Sequence, residues 1–374
     1  MAERLRMAAG RTMEHEETGG EKDMKTLVTA RFDKRYLDEL KTIATDLRFD
    51  GYGVHGVKME TGALIRALEG VELLITEFED ITREVLDQAD SLKIIVCCRN
   101  EAFASVDIDA ATQKGIPVIC AGGRNAVAVA EHAIALLMCV SKNIALTDHL
   151  LKYTDELTNC TYSDKQGERR NIISEWSLDP RAPFALYGGG PEMYGKIFGQ
   201  IGFGSIGREV AKRAYALGMK LLIYDPYVKQ EEVEHLEAKM VDLETLMRES
   251  DFISVNCNVT PETRGMISRE MINLMKPTAY LVNTARAPIM DYDALYDALK
   301  EKRIAGAGLD VFPVEPIPAG DKLLGLKNTV LTPHLAGSSR DIIGHQTEII
   351  LGQVKILLSG GKPRLICNPQ VIKA

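Results

Sequence analysis

Lys196-Ile-Phe-Gly-Gln-Ile-Gly-Phe-Gly-Ser-Ile-Gly-Arg-Glu-Val-Ala211 runs from an apolar strand straight into a helix through the spacing Gly202-x-Gly204-x-x-Gly207. Glycine supplies 31 of the 374 residues, so the spacing alone is weak evidence, and its context has to carry the reading. A second apolar strand, Leu221-Leu222-Ile223-Tyr224, ends at Asp225, about 20 residues further on, where a dinucleotide-binding unit places its acid. Gly202 permits the tight turn, Gly204 lets the backbone approach a pyrophosphate, and Gly207 lets helix and strand pack closely. The amides of Ser205 and Ile206 then face the anion from a helix N-terminus. Asp225 accepts hydrogen bonds from both adenosine-ribose hydroxyls and repels a 2'-phosphate, which favours NAD over NADP.

Outward from that turn, α/β alternation predicts strands at 196–201, 220–224, 252–255, 279–283, 305–309 and 329–331, a sheet of about six strands. On the N-terminal side, strands are predicted at 27–30, 73–76, 94–97 and 116–120, with helices at 34–47 and 107–114. Ala-Val-Ala-Val-Ala-Glu-His from Ala126 onward reads as one long apolar helix to about Tyr153, and 341–358 as another. Between them lies an irregular stretch, 154–194, holding the only Trp, Trp176. Stretches of that length without periodicity are usually functional loops, subunit-contact arms or disorder. Residues 367–371 read as a short extended tail.

Lys and Arg number 45 against 53 Asp and Glu, a formal charge of −8, which argues against a protein that works by gripping nucleic-acid phosphates. The best membrane-span candidate, residues 126–146, is interrupted by Glu131, His132, Lys142 and Asn143, so no membrane partner is expected. The seven cysteines, Cys97, Cys98, Cys120, Cys139, Cys160, Cys257 and Cys367, show no metal-ligand spacing. They are expected to be buried free thiols in a reducing cytosol. Residues 1–23 mix charges with Gly and lack an apolar export core, so a disordered extension and a cytoplasmic location are expected.

The chemistry is sought at the carboxyl ends of strands, where open α/β sheets bind ligands. Asn283-Thr284-Ala285-Arg286 ends one strand, Gly308-Leu309-Asp310-Val311-Phe312-Pro313-Val314-Glu315-Pro316 another, and Leu331-Thr332-Pro333-His334-Leu335-Ala336-Gly337 a third. An acid/base, an acid and an anion anchor thereby converge as His334, Glu315 and Arg286.

With these motifs, with Thr260-Pro-Glu-Thr-Arg-Gly-Met-Ile267 and with Ala130-Glu-His132, the chain from about Leu27 to Pro369 resembles the D-isomer-specific 2-hydroxyacid dehydrogenases. That family includes phosphoglycerate, glycerate, hydroxypyruvate and D-lactate dehydrogenases. The resemblance implies two Rossmann-like or flavodoxin-like α/β domains, the NAD-binding doubly wound parallel sheet (126–338) being inserted into a substrate-binding domain (24–125 and 339–374). It implies NAD-dependent interconversion of a 2-oxo acid and a D-2-hydroxy acid, and a homodimer. His334 is then the general acid/base, Glu315 orients it and favours its protonated form, and Arg286 binds the substrate carboxylate and polarises the 2-oxo group. Asp310 corresponds to an acid near the nicotinamide carboxamide. Cys257, Thr284, Ala285, Arg286, His334, Ala336 and Gly337 are implied as further cofactor contacts.

The chain departs from the family where a Gly-rich loop would bind the substrate carboxylate. Here the stretch is Cys98-Arg99-Asn100-Glu101-Ala102-Phe103, without glycine. Asn100, Glu101 and Ala102 are expected to contact substrate, with Glu101 either turned outward or binding hydroxyls of a polyol-like acid. Asn256-Cys257-Asn258 is a second departure, at a strand end that still lines the cofactor. Glu131 and His132 read either as a satisfied core pair or as a direct contact to cofactor or substrate. Corepressors resembling the family keep its fold and catalytic residues, which leaves an NAD(H)-sensing regulator as the alternative function. No partner-binding motif or basic region in the sequence supports it.

Overall fold

The computed structural model describes residues 24–157 and 182–372. The extension at 1–23, Cys160, and Trp176 with the rest of 158–181 lie outside the described residues. The chain divides into two compact units, one from Gly123 to Ile342 and one formed by the residues up to Gly122 and from Ile343 onward.

The first unit is built on five parallel strands: β1 (Met24–Val28), β2 (Ala44–Phe49), β3 (Leu73–Thr76), β4 (Ile94–Cys97) and β5 (Val118–Cys120), in the order β2-β1-β3-β4-β5. Every residue of β3 and β4 is buried, which is why both read as unbroken apolar runs rather than as alternating ones. The helix expected over 34–47 is instead a single 3₁₀ turn at Lys34–Tyr36, a helical turn at Leu37–Leu40, and β2. Pairing of Leu27 with Arg48 and Val28 with Phe49 gives β1 its outer partner, and this tertiary contact overrides a local pattern that suits either structure. The expected extended tail is a 3₁₀ turn at Pro369–Val371, and the extended contact lies just before it, where Ile366 bridges Ile119 in antiparallel fashion. Asn368 anchors the tail by accepting from the Val118 amide (2.8 Å) and donating to the Ile116 carbonyl (2.9 Å).

The second unit has seven parallel strands: β6 (Ile197–Ile201), β7 (Lys220–Tyr224), β8 (Lys239–Met240), β9 (Phe252–Val255), β10 (Tyr280–Asn283), β11 (Gly306–Leu309) and β12 (Thr329–Leu331). Their order is β12-β11-β10-β9-β6-β7-β8, one strand more than expected because β8 is only two residues long. Strand order reverses between β6 and β9, so the ligand crevice of such a sheet opens at the carboxyl ends of these two strands.

The apolar stretch expected as one helix is two, Ala126–Ser141 and Ile144–Tyr153, bent by 64°. The break falls at Asn143, which takes the left-handed conformation (φ 55°) that Asn tolerates and donates to the Tyr187 carbonyl at 2.9 Å. Ala126–Ser141 packs within the second unit, on β10, β11 and the helix Ser205–Ala216. Among the described residues no single helix is long and apolar enough to cross a membrane.

Candidate active site

Helix starts show where an anion is invited. Asp107, Asp242 and Asp291 each cap a helix by accepting the amide three residues on, as N-cap side chains do. Ser205–Ala216, like Ala126–Ser141 and Ile144–Tyr153, has no side-chain cap, and its N-cap is Gly204, in the glycine turn at the crevice. The first amides of this helix, Ser205 and Ile206 among them, therefore face outward at the crevice.

Around that end the three glycines divide their tasks sharply. Gly202 takes φ 86°, and a Cβ there would stand 2.8 Å from the Cys257 nitrogen. A Cβ on Gly207 would stand 2.1 Å from the Gly202 carbonyl oxygen, whereas one on Gly204 would meet nothing within 4 Å. The open space over Gly204 is a cradle suited to a pyrophosphate. Asp225, ending β7, is fixed by accepting from the amides of Phe203 (2.7 Å) and Tyr227 (2.9 Å), which leaves each carboxylate oxygen a further lone pair for a ribose hydroxyl. Burial pushes the Cys257 thiol up to about 11, so it lines the crevice as a neutral group.

The ends of β10, β11 and β12 bring Arg286, Glu315 and His334 together. His334 Nδ1 lies 2.6 Å from Glu315 Oε2, and Glu315 Oε1 accepts from the Phe312 amide at 2.9 Å. Burial works against the charged Glu315 carboxylate. Its bonds to His334 and Phe312, with the charges of His334 and Arg286, outweigh that and hold it below the usual carboxylate range. Arg286 is exposed, its guanidinium turned back onto the Ala285 carbonyl at 2.6 Å. Thr284 accepts from Asn256 Nδ2 at 3.1 Å, and the Ala285 amide donates to Asn283 Oδ1 at 2.9 Å. His334 sits at φ 54°, in the left-handed region that few non-glycine residues enter, though Asn, Asp and His do so more often than others, and such a conformation persists where the surroundings impose it.

Asp310 imposes it. Its carbonyl accepts the His334 amide (2.8 Å), Oδ1 accepts from the Thr332 hydroxyl (2.6 Å) and the Leu335 amide (2.8 Å), and Oδ2 accepts the Ala336 amide (2.8 Å). Burial again opposes the charge, and donors from His132, Thr332, Ala336 and Leu335 hold the carboxyl below its ordinary value near 3.8. Such a group stabilises the fold fully above that ordinary value, and the contribution fades as pH falls from there through the depressed one. Asp310→Asn is therefore expected to cost about 2–3 kcal/mol at neutral pH, and its deficit against the parent protein is expected to shrink on acidification. Paired denaturant titrations at neutral pH and at pH near 3 check this.

Glu131 and His132 do not form the core pair that one reading of the sequence allows. Glu131 is exposed and bound to Arg213 at 2.9 Å, whereas His132 Nε2 lies 3.0 Å from Thr332 Oγ1 and 3.5 Å from Asp310 Oδ1. His132 thus supports the loop that carries His334. The Ala-Glu-His motif flagged the residue but not its partner, which lies 200 positions away. Ala336 is buried, and Gly337 packs so closely that a Cβ would stand 2.7 Å from Asn125 Nδ2.

In the first unit, Asn100 and Glu101 are exposed and Ala102 is buried in the core. One feature there escaped sequence reading. The Phe78 ring lies under the guanidinium of Arg99 at 5.1 Å and that of Arg31 at 5.9 Å, Arg31 being paired with buried Glu77 at 2.6 Å. Of the described cysteines, Cys97, Cys98 and Cys120 are buried as expected, while Cys139, Cys257 and Cys367 are half-buried.

The doubly wound sheet, the glycine turn and the carboxylate after β7 define a dinucleotide-binding α/β protein. The family model described as D-isomer specific 2-hydroxyacid dehydrogenase, NAD binding domain, matches residues 173–336. The chain is 36% identical over 312 residues to glyoxylate reductase of Thermococcus litoralis, 83% of this chain and 88% of that protein. It is 37% identical over 297 residues to D-3-phosphoglycerate dehydrogenase of Methanocaldococcus jannaschii, 79% of this chain but 51% of that one, so it spans about half the length of this relative. The apo-structure of Escherichia coli D-lactate dehydrogenase aligns with 92% of this chain and all of its own, at 27% identity and a TM-score of 0.63. The chain belongs to the D-isomer-specific 2-hydroxyacid dehydrogenase family, and its cofactor is NAD.

Proposed function

We propose that this protein interconverts a 2-oxo acid and a D-2-hydroxy acid in an NAD-dependent reaction, with His334 as general acid/base. The observation that carries the reading is the 2.6 Å bond between His334 Nδ1 and Glu315. With Nδ1 engaged by Glu315, Nε2 is the nitrogen left to exchange a proton with substrate. NAD, when bound, supplies or accepts the hydride at substrate C2. Nε2 protonates the oxygen that becomes the hydroxyl, or takes its proton in the reverse direction. Arg286 turns its fork of donors to the substrate carboxylate and 2-oxo oxygen. The relatives' names span glyoxylate and 3-phosphoglycerate, so small and phosphorylated acids both belong in the test, and the protein is proposed to act as a homodimer.

The experiment is a panel of glyoxylate, pyruvate, hydroxypyruvate, phosphohydroxypyruvate and sugar-derived 2-oxo acids with NADH and with NADPH, beside a mass measurement in solution. Turnover of at least one acid with NADH is expected. Tight NADH binding without turnover across the panel overturns the reading. Asp225→Ala is expected to weaken NADH about 10-fold or more, the worth of one or two bonds to a charged acceptor, and NADPH much less. Fluorescence titration with both nucleotides measures it.

A further inference from the structure

We propose that Tyr292 is a positioning residue, its buried hydroxyl tying the loop that carries Arg286 to the loop that carries Glu315. The kinetic half of this proposal rests on the function assigned above.

The two loops leave neighbouring strands and then part. Asn283 pairs with Leu309 where β10 and β11 end, and the Asp310 amide makes the last rung by donating to the Asn283 carbonyl at 3.1 Å. Beyond that rung, among the described residues, no backbone hydrogen bond joins 284–291 to 311–316. The turn after Arg286 is tied elsewhere: the Pro288 and Ile289 carbonyls accept the Gly265 and Ile267 amides at 2.9 and 3.0 Å. The strands therefore set where both loops start, and the spacing past the rung falls to side chains.

Tyr292 opens the helix Tyr292–Lys300 and is buried in the apolar cluster that also holds Ala285, Ala287 and Phe312. Its hydroxyl donates to the Val311 carbonyl at 2.5 Å, and that carbonyl accepts no other hydrogen bond among the described residues. From the other side, Asn283 Nδ2 lies 3.4 Å from the same hydroxyl and 3.4 Å from the Arg286 carbonyl. The roles of these atoms are consistent. Asn283 Oδ1 accepts from the Ala285 amide at 2.9 Å, so Nδ2 is the end that faces two oxygens, and the single phenol proton goes to Val311. Asn283 and Val311 are fully buried. Burial also pushes the Tyr292 phenol up, so its proton stays on through the neutral range.

A bonded route thus runs from the Arg286 carbonyl through Asn283 and Tyr292 to Val311. The next residue, Phe312, holds Glu315 Oε1 through its amide, and Glu315 holds His334. Packing needs only the ring, which Phe would supply equally well. The hydroxyl is what joins the substrate anchor to the acid/base pair, and its removal from a buried network leaves the Val311 carbonyl unsatisfied.

The test is Tyr292→Phe in the full chain, beside Leu295→Ala, which truncates a buried side chain of the same helix outside the bonded route. In Tyr292→Phe without substrate, hydrogen exchange at the Ala285 and Phe312 amides is expected to speed up relative to the strand amides of 281–283. The kcat/KM for whichever oxo acid is turned over is expected to fall about 10-fold, the worth of one buried hydrogen bond, through a lower kcat and a higher KM together. Leu295→Ala is expected to lower the melting temperature at least as far and to leave kcat and KM near the parent values. Unchanged exchange at both amides overturns the tie between the loops, whether or not any oxo acid is turned over. Faster exchange with parental kcat and KM, or an equal kinetic loss in Leu295→Ala, overturns the positioning role and leaves the hydroxyl a part of the core.

Discussion

His334→Ala is expected to lower kcat for 2-oxo acid reduction by roughly 10²- to 10⁴-fold, the usual contribution of a positioned general acid, while NADH binds as in the parent protein. The expectation follows from what the imidazole does and does not hold up. Its ring touches Glu315, and 43% of the side chain is exposed. The loop beneath is held by backbone and by Asp310, whose bonds run to the amides of residues 334, 335 and 336 and to Thr332 rather than to the imidazole. Removing the ring therefore deletes a proton donor without dismantling its support. A left-handed alanine carries a strain of about 1–2 kcal/mol, which His334→Gly does not, so both variants are to be measured. If the imidazole is the acid, Ala and Gly lose the same turnover. Recovery of kcat in the Gly variant would assign the loss to loop geometry and remove His334 from the role. Glu315→Gln is expected to be the milder change, because the Phe312 amide keeps an acceptor while the imidazolium loses its counter-charge.

How much of this was legible in the sequence depended on whether a segment is specified by its own residues or by a distant partner. The strands 220–224, 252–255 and 329–331 lie where their apolar runs predict, and 252–255, buried throughout, shows the reason: a parallel strand covered on both faces needs a continuous run. The glycine turn and the three strand-end motifs were legible because steric and chemical demands there admit few residue types. β2 was not: Asp46-Leu47-Arg48 is too polar to read as a strand, and it becomes an exposed edge strand because β1 has a free side for it to pair with. The helix break at Asn143 needs one left-handed residue, a choice that periodicity does not report. Asp310 was matched to a cofactor contact, and the structure shows its carboxylate ordering the His334 loop, a network closed by His132 from the helix Ala126–Ser141. The Ile119–Ile366 bridge had no sequence signal, because it depends on the tail folding back onto β5.

The second large effect separates two glycines three residues apart. Gly207→Ala puts a Cβ 2.1 Å from the Gly202 carbonyl oxygen and 2.9 Å from its carbon. Both are backbone atoms of the turn that joins β6 to the helix, so no side chain can rotate away and the helix must lift from the sheet. Overpacking of this kind costs about 3 kcal/mol, and at roughly 2–4 °C per kcal/mol for a domain of 150–250 residues the melting temperature is expected to fall by about 6–12 °C. Gly204→Ala meets nothing within 4 Å, and its φ of −70° suits any residue. Its melting temperature is expected to match the parent protein within about 1 °C, as for surface changes away from special geometry. The added methyl group nevertheless enters the open space over residue 204, where a pyrophosphate would approach. NADH affinity is therefore expected to fall by roughly 10-fold or more, the loss of one or two charge-assisted bonds. Thermal unfolding and NADH titration of the two variants together make the distinction: one glycine serves the fold, the other the ligand. Undiminished NADH binding by Gly204→Ala would show that the pyrophosphate does not dock on this helix end.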